Sequence, residues 1–199
     1  DLFCKIELLK WACDFYDNRL NDAIHRLLLH ETGTSFEKNV SHDLDRKLNL
    51  ITSFFAAGEY SRGIGVIKSI KHSTQWIQKK KGLEFRVKFQ LIEMLYFLET
   101  GKIDLVLNRM RALKRVIREV VKLNPNYKNL NVFLNVINTS LSRGGFKGLE
   151  KELDKFEFTP FKRENIQAMA FFAYLKSKIS NRDYYETLIE LVTVEWVKG

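Results

Sequence analysis

A short phrase recurs five times along the chain and limits the fold more than any other feature. In each copy an apolar run ends at a tight polar or glycine turn, an apolar residue follows two positions later, and a second amphipathic run begins. The turns lie at residues 18, 58, 101, 144 and 182, which are about 40, 43, 43 and 38 residues apart. A repeat of this length that joins two helical runs predicts stacked helical hairpins. We therefore expect an all-α chain with about ten helices in five hairpins.

Composition agrees with helices. The 199 residues include 2 prolines and 10 glycines, which leaves little room for the many turns of a β-sandwich or barrel. No linker-like segment separates the repeats, so we predict a single domain over residues 1–199, part of a longer chain. No apolar run reaches the ~18 residues that span a membrane. Cys4 and Cys13 are too far apart on one helix for a disulfide, and we expect both in the core of a cytoplasmic protein.

Two of the turns carry a family resemblance. Ala57-Gly58-Glu59-Tyr60, followed by Gly63, Ile67 and Ile70, resembles the middle of a tetratricopeptide repeat (TPR), and the segment from Thr100 to Leu113 aligns in the same way. Residues 48–141 also resemble bacterial helical-repeat proteins of unassigned function. The resemblance implies a right-handed αα-hairpin solenoid. It also implies a small residue where the two helices cross, as at Ala23 and Gly63.

In TPR-like solenoids the first helix of each hairpin lines the concave side. An asparagine amide can both donate to and accept from the backbone of an extended peptide. We therefore expect a non-catalytic interaction scaffold that binds a peptide or a partner helix in this groove. A homodimer through the terminal hairpins is another option, because Leu2, Phe3 and Ile6 begin the chain with an apolar surface. Alignment on the turns places the following side chains in the groove: Tyr16, Phe55, Lys88, Asn131, Asn138 and Lys176.

A basic stripe in the third hairpin suggests a different function. Its cations gather within roughly 100° of one helix face, in a chain of net charge +9. The alternative function is therefore a module that binds nucleic-acid phosphates, and a merely solvated outer face is the third interpretation. Lys79, Lys80 and Lys81, with Arg86 and Lys88, form a second basic candidate. The residues of the stripe are Arg111, Lys114, Arg115, Arg118 and Lys122.

The sequence contains no recognisable catalytic or metal-binding motif. The four histidines lack metal-ligand spacing, and no phosphate-binding loop or nucleophile elbow is present. We therefore expect no enzyme activity and no cofactor. At the helix boundaries, Ser41 is the expected N-cap of the 43–57 helix, and residues 79–82 are expected to connect the second hairpin to the third. Thr159-Pro160 is expected to begin the fifth hairpin.

Overall fold

The computed structural model of the chain describes residues 2–30, 35–156 and 166–197, and every regular element in these ranges is helical. This confirms the all-α prediction. The chain divides into two compact units, Asp1–Arg109 and Met110–Gly199, and the boundary falls inside one helix. A single domain over residues 1–199 stays a prediction.

In the first unit each new hairpin packs against the one before it. The described helices are α1 (Leu2–Tyr16), α2 (Leu20–Leu28), α3 (Val40–Ala56), α4 (Tyr60–Ser69), α5 (Thr74–Lys81), α6 (Leu83–Glu99) and the start of α7 (Ile103–Leu123). The pairs α1–α2 and α3–α4 form hairpins. Helix α3 also contacts both α1 and α2, and α6 contacts both α3 and α4. The first helix of a hairpin therefore lies against both helices of the preceding hairpin.

The second unit is arranged around one apolar helix. After α7 come a 3₁₀ turn (Pro125–Lys128), α8 (Asn129–Arg143), the single-turn α9 (Glu150–Leu153), α10 (Ile166–Ser180) and α11 (Tyr184–Val197). Helix α10 contacts α8, α9 and α11. Its Ala173, Tyr174 and Leu175 are buried, as are Phe133 and Leu134 of α8. These side chains supply much of the core that the structure describes in this unit.

The five predicted turns share one helix-ending geometry. A residue with positive φ ends each first helix, and the next N–H donates to the carbonyl five residues earlier, as Glu59 does to Phe54 at 2.9 Å. This is the Schellman motif, which satisfies the last carbonyls of a helix and needs a left-handed residue that glycine or asparagine tolerates best. The recurring phrase is therefore a helix-capping signal. The positive-φ residues are Asn18, Gly58, Gly101, Gly144 and Asn181.

The position five residues after each left-handed residue is buried in the first four hairpins, and the equivalent Thr187 is buried in the fifth. At Gly63 the approach is so close that an added Cβ would overlap the side chain of Tyr96 on α6. The Tyr96 hydroxyl donates to the Ile51 carbonyl of α3 at 2.6 Å, so one side chain joins three helices. The resemblance implied a small residue where the two helices of one hairpin cross, but the side chain that leaves no room at Gly63 belongs to α6, the first helix of the next hairpin. The five positions are Ala23, Gly63, Val106, Leu149 and Thr187, and the last three carry larger side chains.

Buried polar contacts also join the first two hairpins. The Trp11 indole donates to the Ser53 hydroxyl at 2.9 Å, which links α1 to α3. Arg46 of α3 is 3% exposed. Its guanidinium donates to Asp43 at 2.9 Å and to the Leu27 carbonyl, at the end of α2, at 3.3 Å. A buried charge is tolerated when hydrogen bonds replace its water shell, and a cation is favoured at a helix C-terminus.

Several boundary predictions were wrong. The N-cap of α3 is Asn39, whose side chain accepts from the N–H groups of Ser41 and His42, because α3 begins at Val40. Residues 74–81 form a helix, α5, where the sequence predicted a simple connection over 79–82. Ile77 is its buried residue, and Ser73 caps it through the Trp76 N–H. The predicted start of the fifth hairpin at Thr159-Pro160 lies outside the described residues.

The cysteines follow the prediction in part. Cys4 and Cys13 are both free, as their spacing on α1 predicted. Cys4 is buried in the core, but Cys13 is exposed. The prediction of a core position for Cys13 was therefore wrong, because this residue lies on the outer face of the first helix.

Candidate functional site

Helix α7 separates apolar and basic residues onto opposite faces. Its buried residues follow the helical repeat, with exposures between 0% and 5% at Val106, Met110, Leu113, Val116, Ile117 and Val120. Leu105, which the sequence assigned to the same apolar face, is 44% exposed. All five predicted stripe residues, Arg111, Lys114, Arg115, Arg118 and Lys122, are exposed. The position of this basic stripe on the surface agrees with the sequence pattern.

The stripe is poorly neutralised. Within the part of the chain that the structure describes, Lys114, Arg115, Arg118 and Lys122 form no ion pair. Arg118 donates through Nε to the Lys114 carbonyl at 3.3 Å, which leaves its charge uncompensated. Glu119 is the one acid between residues 111 and 122, so this segment carries +4 of the chain's net +9. The uncompensated positive charge of the stripe faces solvent.

Several other cations in the described residues pair with acids across helix contacts. On the same helix, Arg109 lies 2.5 Å from the Glu93 carboxylate of α6. Burial raises the pKa of Glu93, and the charge of Arg109 opposes that shift. Lys81 of α5 lies 2.7 Å from Asp45 of α3. These pairs stabilise contacts between helices, which distinguishes them from the basic stripe.

The predicted groove contains one residue that belongs to the core. Phe55 is 3% exposed, and its ring packs 5.3 Å from Tyr96 and 5.6 Å from Tyr60. A partner cannot reach it without opening this aromatic cluster. The assignment of Phe55 to a binding groove was therefore wrong, because α3 uses this face to pack against α4 and α6.

Three other groove residues are half-buried. Tyr16 packs edge-on against Phe15 at 5.1 Å, and Lys176 lies on α10. Burial lowers the pKa of Lys88, while the negative charges of Glu84 and Asp45 oppose that shift. Tyr16 and Lys88 belong to the first unit and Lys176 to the second. A common groove for these side chains stays a prediction.

Helix α8 exposes a row of asparagines. The predicted residues Asn131 and Asn138 are both exposed, two turns apart. Asn135 lies between them on the same face and is also exposed, although the sequence analysis did not select it. The opposite face of α8 is buried through Phe133 and Ile137. A helix with one apolar face and three amides on the other can present both donors and acceptors to a partner.

The second basic candidate does not form one surface. Lys81 donates to Ser41 and Asp45, and Arg86 donates to the Gln78 side chain at 2.6 Å. These two cations hold α5 against α3 and α6. Lys79 and Lys80 remain exposed. The expectation of a joint cluster was wrong, because helix formation in 74–81 turns its cations in different directions.

An aromatic pair that the sequence did not predict, His72 with Trp76, lies beside these lysines. The His72 and Trp76 rings stack at 3.8 Å between centroids with an interplanar angle of 13°, and the Lys80 ammonium lies 5.9 Å from the Trp76 centroid. One face of Trp76 is thus covered by His72. The four-residue spacing of Trp76 and Lys80 on α5 is visible in the sequence, whereas His72 precedes the N-cap Ser73 and lies outside the helix.

The densest cluster of charges joins α1 to α2. Arg26 lies 2.7 Å from Asp14 and 3.5 Å from Glu7. Arg19 also pairs with Asp14 at 2.9 Å, and Lys10 pairs with Glu7 at 2.8 Å. The hydrogen bond from Lys10 lowers the pKa of Glu7 below its ordinary value. Both carboxylates are paired, which makes this cluster a structural contact of the first hairpin.

The histidines are dispersed. His30 lies 3.4 Å from Glu7, and His42 lies 4.0 Å from Asp45. His25 is exposed. Across residues 2–30, 35–156 and 166–197, no three His, Cys, Asp or Glu side chains come together as metal ligands would. Over the same ranges, no helix combines the length and apolar character that crossing a bilayer requires.

Comparison of the chain with models of protein families, with curated proteins and with solved structures found no match.

Proposed function

We propose that the chain is a non-catalytic helical module that binds nucleic-acid phosphates through the basic stripe of α7. One observation carries this proposal. Four cations of the stripe are exposed without an ion pair in the described structure, beside a single acid, Glu119. Affinity for nucleic acid comes largely from cations that displace counterions condensed on phosphates. Such cations must be accessible and uncompensated, as these are.

The dimensions of the stripe suit a phosphate backbone. Arg111 and Lys122 are eleven residues apart, which is roughly 16 Å along a helix axis. Duplex DNA rises 3.4 Å per base pair, so this length covers about five base pairs. The ~100° arc lets a helix lying along a groove reach phosphates on both sides. If each of the four unpaired cations of the stripe contacts one phosphate, the slope of log affinity against log salt would be about −4.

The experiment is a salt titration of binding to a labelled random-sequence DNA duplex, followed by fluorescence anisotropy. We compare the chain with Lys114→Gln/Lys122→Gln. Losing two phosphate contacts should reduce the slope by about two and lower the affinity roughly 50-fold near 0.1 M salt. Both side chains are exposed on α7 and take part in three of the like-charge pairs of the stripe, so their replacement should leave the thermal unfolding midpoint unchanged or raise it by a few degrees.

A matched control separates the stripe from net charge. Lys147 and Lys151 are also exposed and lie in the same unit. Lys147→Gln/Lys151→Gln removes the same two charges and should leave the slope unchanged. Equal losses in the two double variants would contradict the proposal, because binding would then follow overall charge. Absence of DNA binding at low salt would contradict it as well.

A second function is favoured by the asparagine row of α8. Asn131, Asn135 and Asn138 are exposed on a helix whose other face is buried, which supports a protein-interaction scaffold that binds a peptide. On a peptide array, Asn131→Ala/Asn138→Ala should reduce specific binding. Asn21 is an exposed residue of α2, and Asn21→Ala should not reduce it. If the asparagine variant retains every bound peptide, this function is refuted.

The packing of successive hairpins supports a TPR-like right-handed solenoid as the architecture behind both functions. Helix α3 contacts α1 and α2, and α6 contacts α3 and α4. Repetition of the same contact generates a solenoid when each unit adds in the same way.

A further inference from the structure

Helix α1 exposes an apolar face that the first unit does not cover. Leu2 is 73% exposed, Ile6 is 40% exposed and Leu9 is 66% exposed. Cys13 continues the same line and is exposed. The opposite side of α1, which includes Trp11 and Phe15 as well as the paired Glu7 and Asp14, is buried among its neighbours. We call Leu2, Ile6, Leu9 and Cys13 the α1 seam.

The spacing of the α1 seam is that of a helix-pairing surface. Its residues are separated by four, three and four positions, the alternation of a and d positions in a coiled coil. In that register Lys5 is a g position and Lys10 an e position, the two places that flank a seam. Lys5 is exposed and forms no ion pair within the described residues. Lys10 pairs with Glu7, and its side chain remains 53% exposed.

The flanking charges select the occupant. In a parallel pair, position g of one helix faces position e five residues later on the other. A second copy of this chain would therefore place Lys5 against Lys10 twice. In an antiparallel copy aligned on the same seam, Lys5 and Lys10 would face the uncharged Ala12 and Phe3, which supply no charge attraction. Like charges at these positions oppose pairing, whereas Glu or Asp there would attract.

We propose that the α1 seam docks one amphipathic helix of another protein, whose apolar a/d residues are flanked by Glu or Asp at e and g. The apolar residues provide affinity through burial. The two lysines provide orientation and discrimination against basic helices and against self-pairing. This surface lies on α1 and is separate from the stripe of α7, so the proposal does not depend on nucleic-acid binding.

The test uses two synthetic helical peptides of three heptads, with the same Leu/Ile seam and with either Glu or Lys at every e and g position. Binding of each labelled peptide to the 199-residue chain is followed by anisotropy. We expect the acidic peptide to bind at least about tenfold more tightly than the basic one. Lys5→Glu should reduce that preference, because it replaces one attractive contact by a repulsive one.

Two matched variants locate the binding. Ile6→Asn/Leu9→Asn should weaken binding of the acidic peptide at least about tenfold, whereas Leu29→Asn/Leu123→Asn should leave its affinity unchanged. Leu29, the C-cap of α2, and Leu123, the last residue of α7, are 63% and 76% exposed. Circular dichroism checks that both variants keep their helix content. Alkylation of the Cys13 thiol by N-ethylmaleimide should slow at least about fivefold when the peptide is bound, since docking would cover it.

Several results would overturn the proposal. Equal affinity for the two peptides would show that Lys5 and Lys10 do not select the partner. No binding up to about 100 µM, or unchanged alkylation of Cys13 in the complex, would remove the site. If light scattering found a dimer that Leu9→Asn dissociates, a second copy would be the occupant instead.

Discussion

A single methyl group at Gly63 tests how the first unit is packed. In α4 a Cβ at this position would overlap the Tyr96 hydroxyl and lie 2.5 Å from its ring atom Cε1. Tyr96 is fully buried, and its ring packs against Phe55 and Tyr60. The ring cannot turn away without opening that cluster and breaking the hydrogen bond to the Ile51 carbonyl. We therefore expect Gly63→Ala to destabilise the fold.

The size of the effect follows from three contributions to the free energy of unfolding. Overpacking a filled core costs about 1–3 kcal/mol, and the buried Tyr96 hydroxyl that loses its acceptor costs a further ~1–3 kcal/mol. Alanine in place of a helical glycine returns about 1 kcal/mol. The expected net loss is about 3 kcal/mol, roughly a 150-fold change in the unfolding equilibrium. Urea denaturation followed by circular dichroism measures it.

Gly65 is the matched control, two residues away on the same helix. A Cβ there meets no atom within 4 Å, so Gly65→Ala should gain about 0.5–1 kcal/mol from helix propensity alone. Tyr96→Phe isolates the hydrogen bond and should cost about 1 kcal/mol. If Gly63→Ala were as stable as Gly65→Ala, the close approach of α4 to Tyr96 would be refuted.

Two further predictions concern backbone conformation and pH. Gly58→Ala should lower the free energy of unfolding by about 1–2 kcal/mol, because φ is +69° there. The added Cβ meets open space, so backbone strain is the cause. Gly82→Ala should lower the free energy of unfolding further, since φ 87° with ψ 171° is a region nearly exclusive to glycine. Equal losses in urea denaturation would contradict this order. Burial lowers the pKa of His42 from 6.5, so the native state keeps it neutral and loses stability as pH falls below the unfolded value. The advantage of wild type over His42→Gln should therefore shrink between pH 7 and pH 5 in urea denaturation, and a constant advantage would exclude His42 as the cause.

The sequence could predict the hairpins because their turns depend on local chemistry. A residue that tolerates positive φ, such as Gly58 or Asn18, must end each first helix, and the following N–H must reach back five residues. This requirement involves six consecutive residues, so it leaves a pattern that can be read along the chain. The basic stripe was predictable for the same reason, since helical periodicity alone places its cations on one face.

Features that depend on neighbouring helices were not predictable in this way. Alignment on the turns predicted a groove position for both Phe55 and Asn131, yet Phe55 is covered by Tyr60 and Tyr96, whereas Asn131 is exposed. Periodicity identifies the apolar face of a helix without showing which other helix covers it. Helix α5 was missed because Ile77 is its single buried residue, which leaves almost no apolar pattern to detect.

The arrangement of charges on α7 argues for a bound anion. Several cations on other helices are accompanied by acids one turn away, as in Lys47 with Asp43 and Lys10 with Glu7. The stripe instead contains five pairs of cations three or four residues apart, and each such like-charge pair destabilises a helix by about 0.2–0.5 kcal/mol. Folding gains nothing from that repulsion, and solubility needs no clustering of one sign. Phosphates placed along the stripe would turn the repulsion into attraction, which gives the clustering a physical reason.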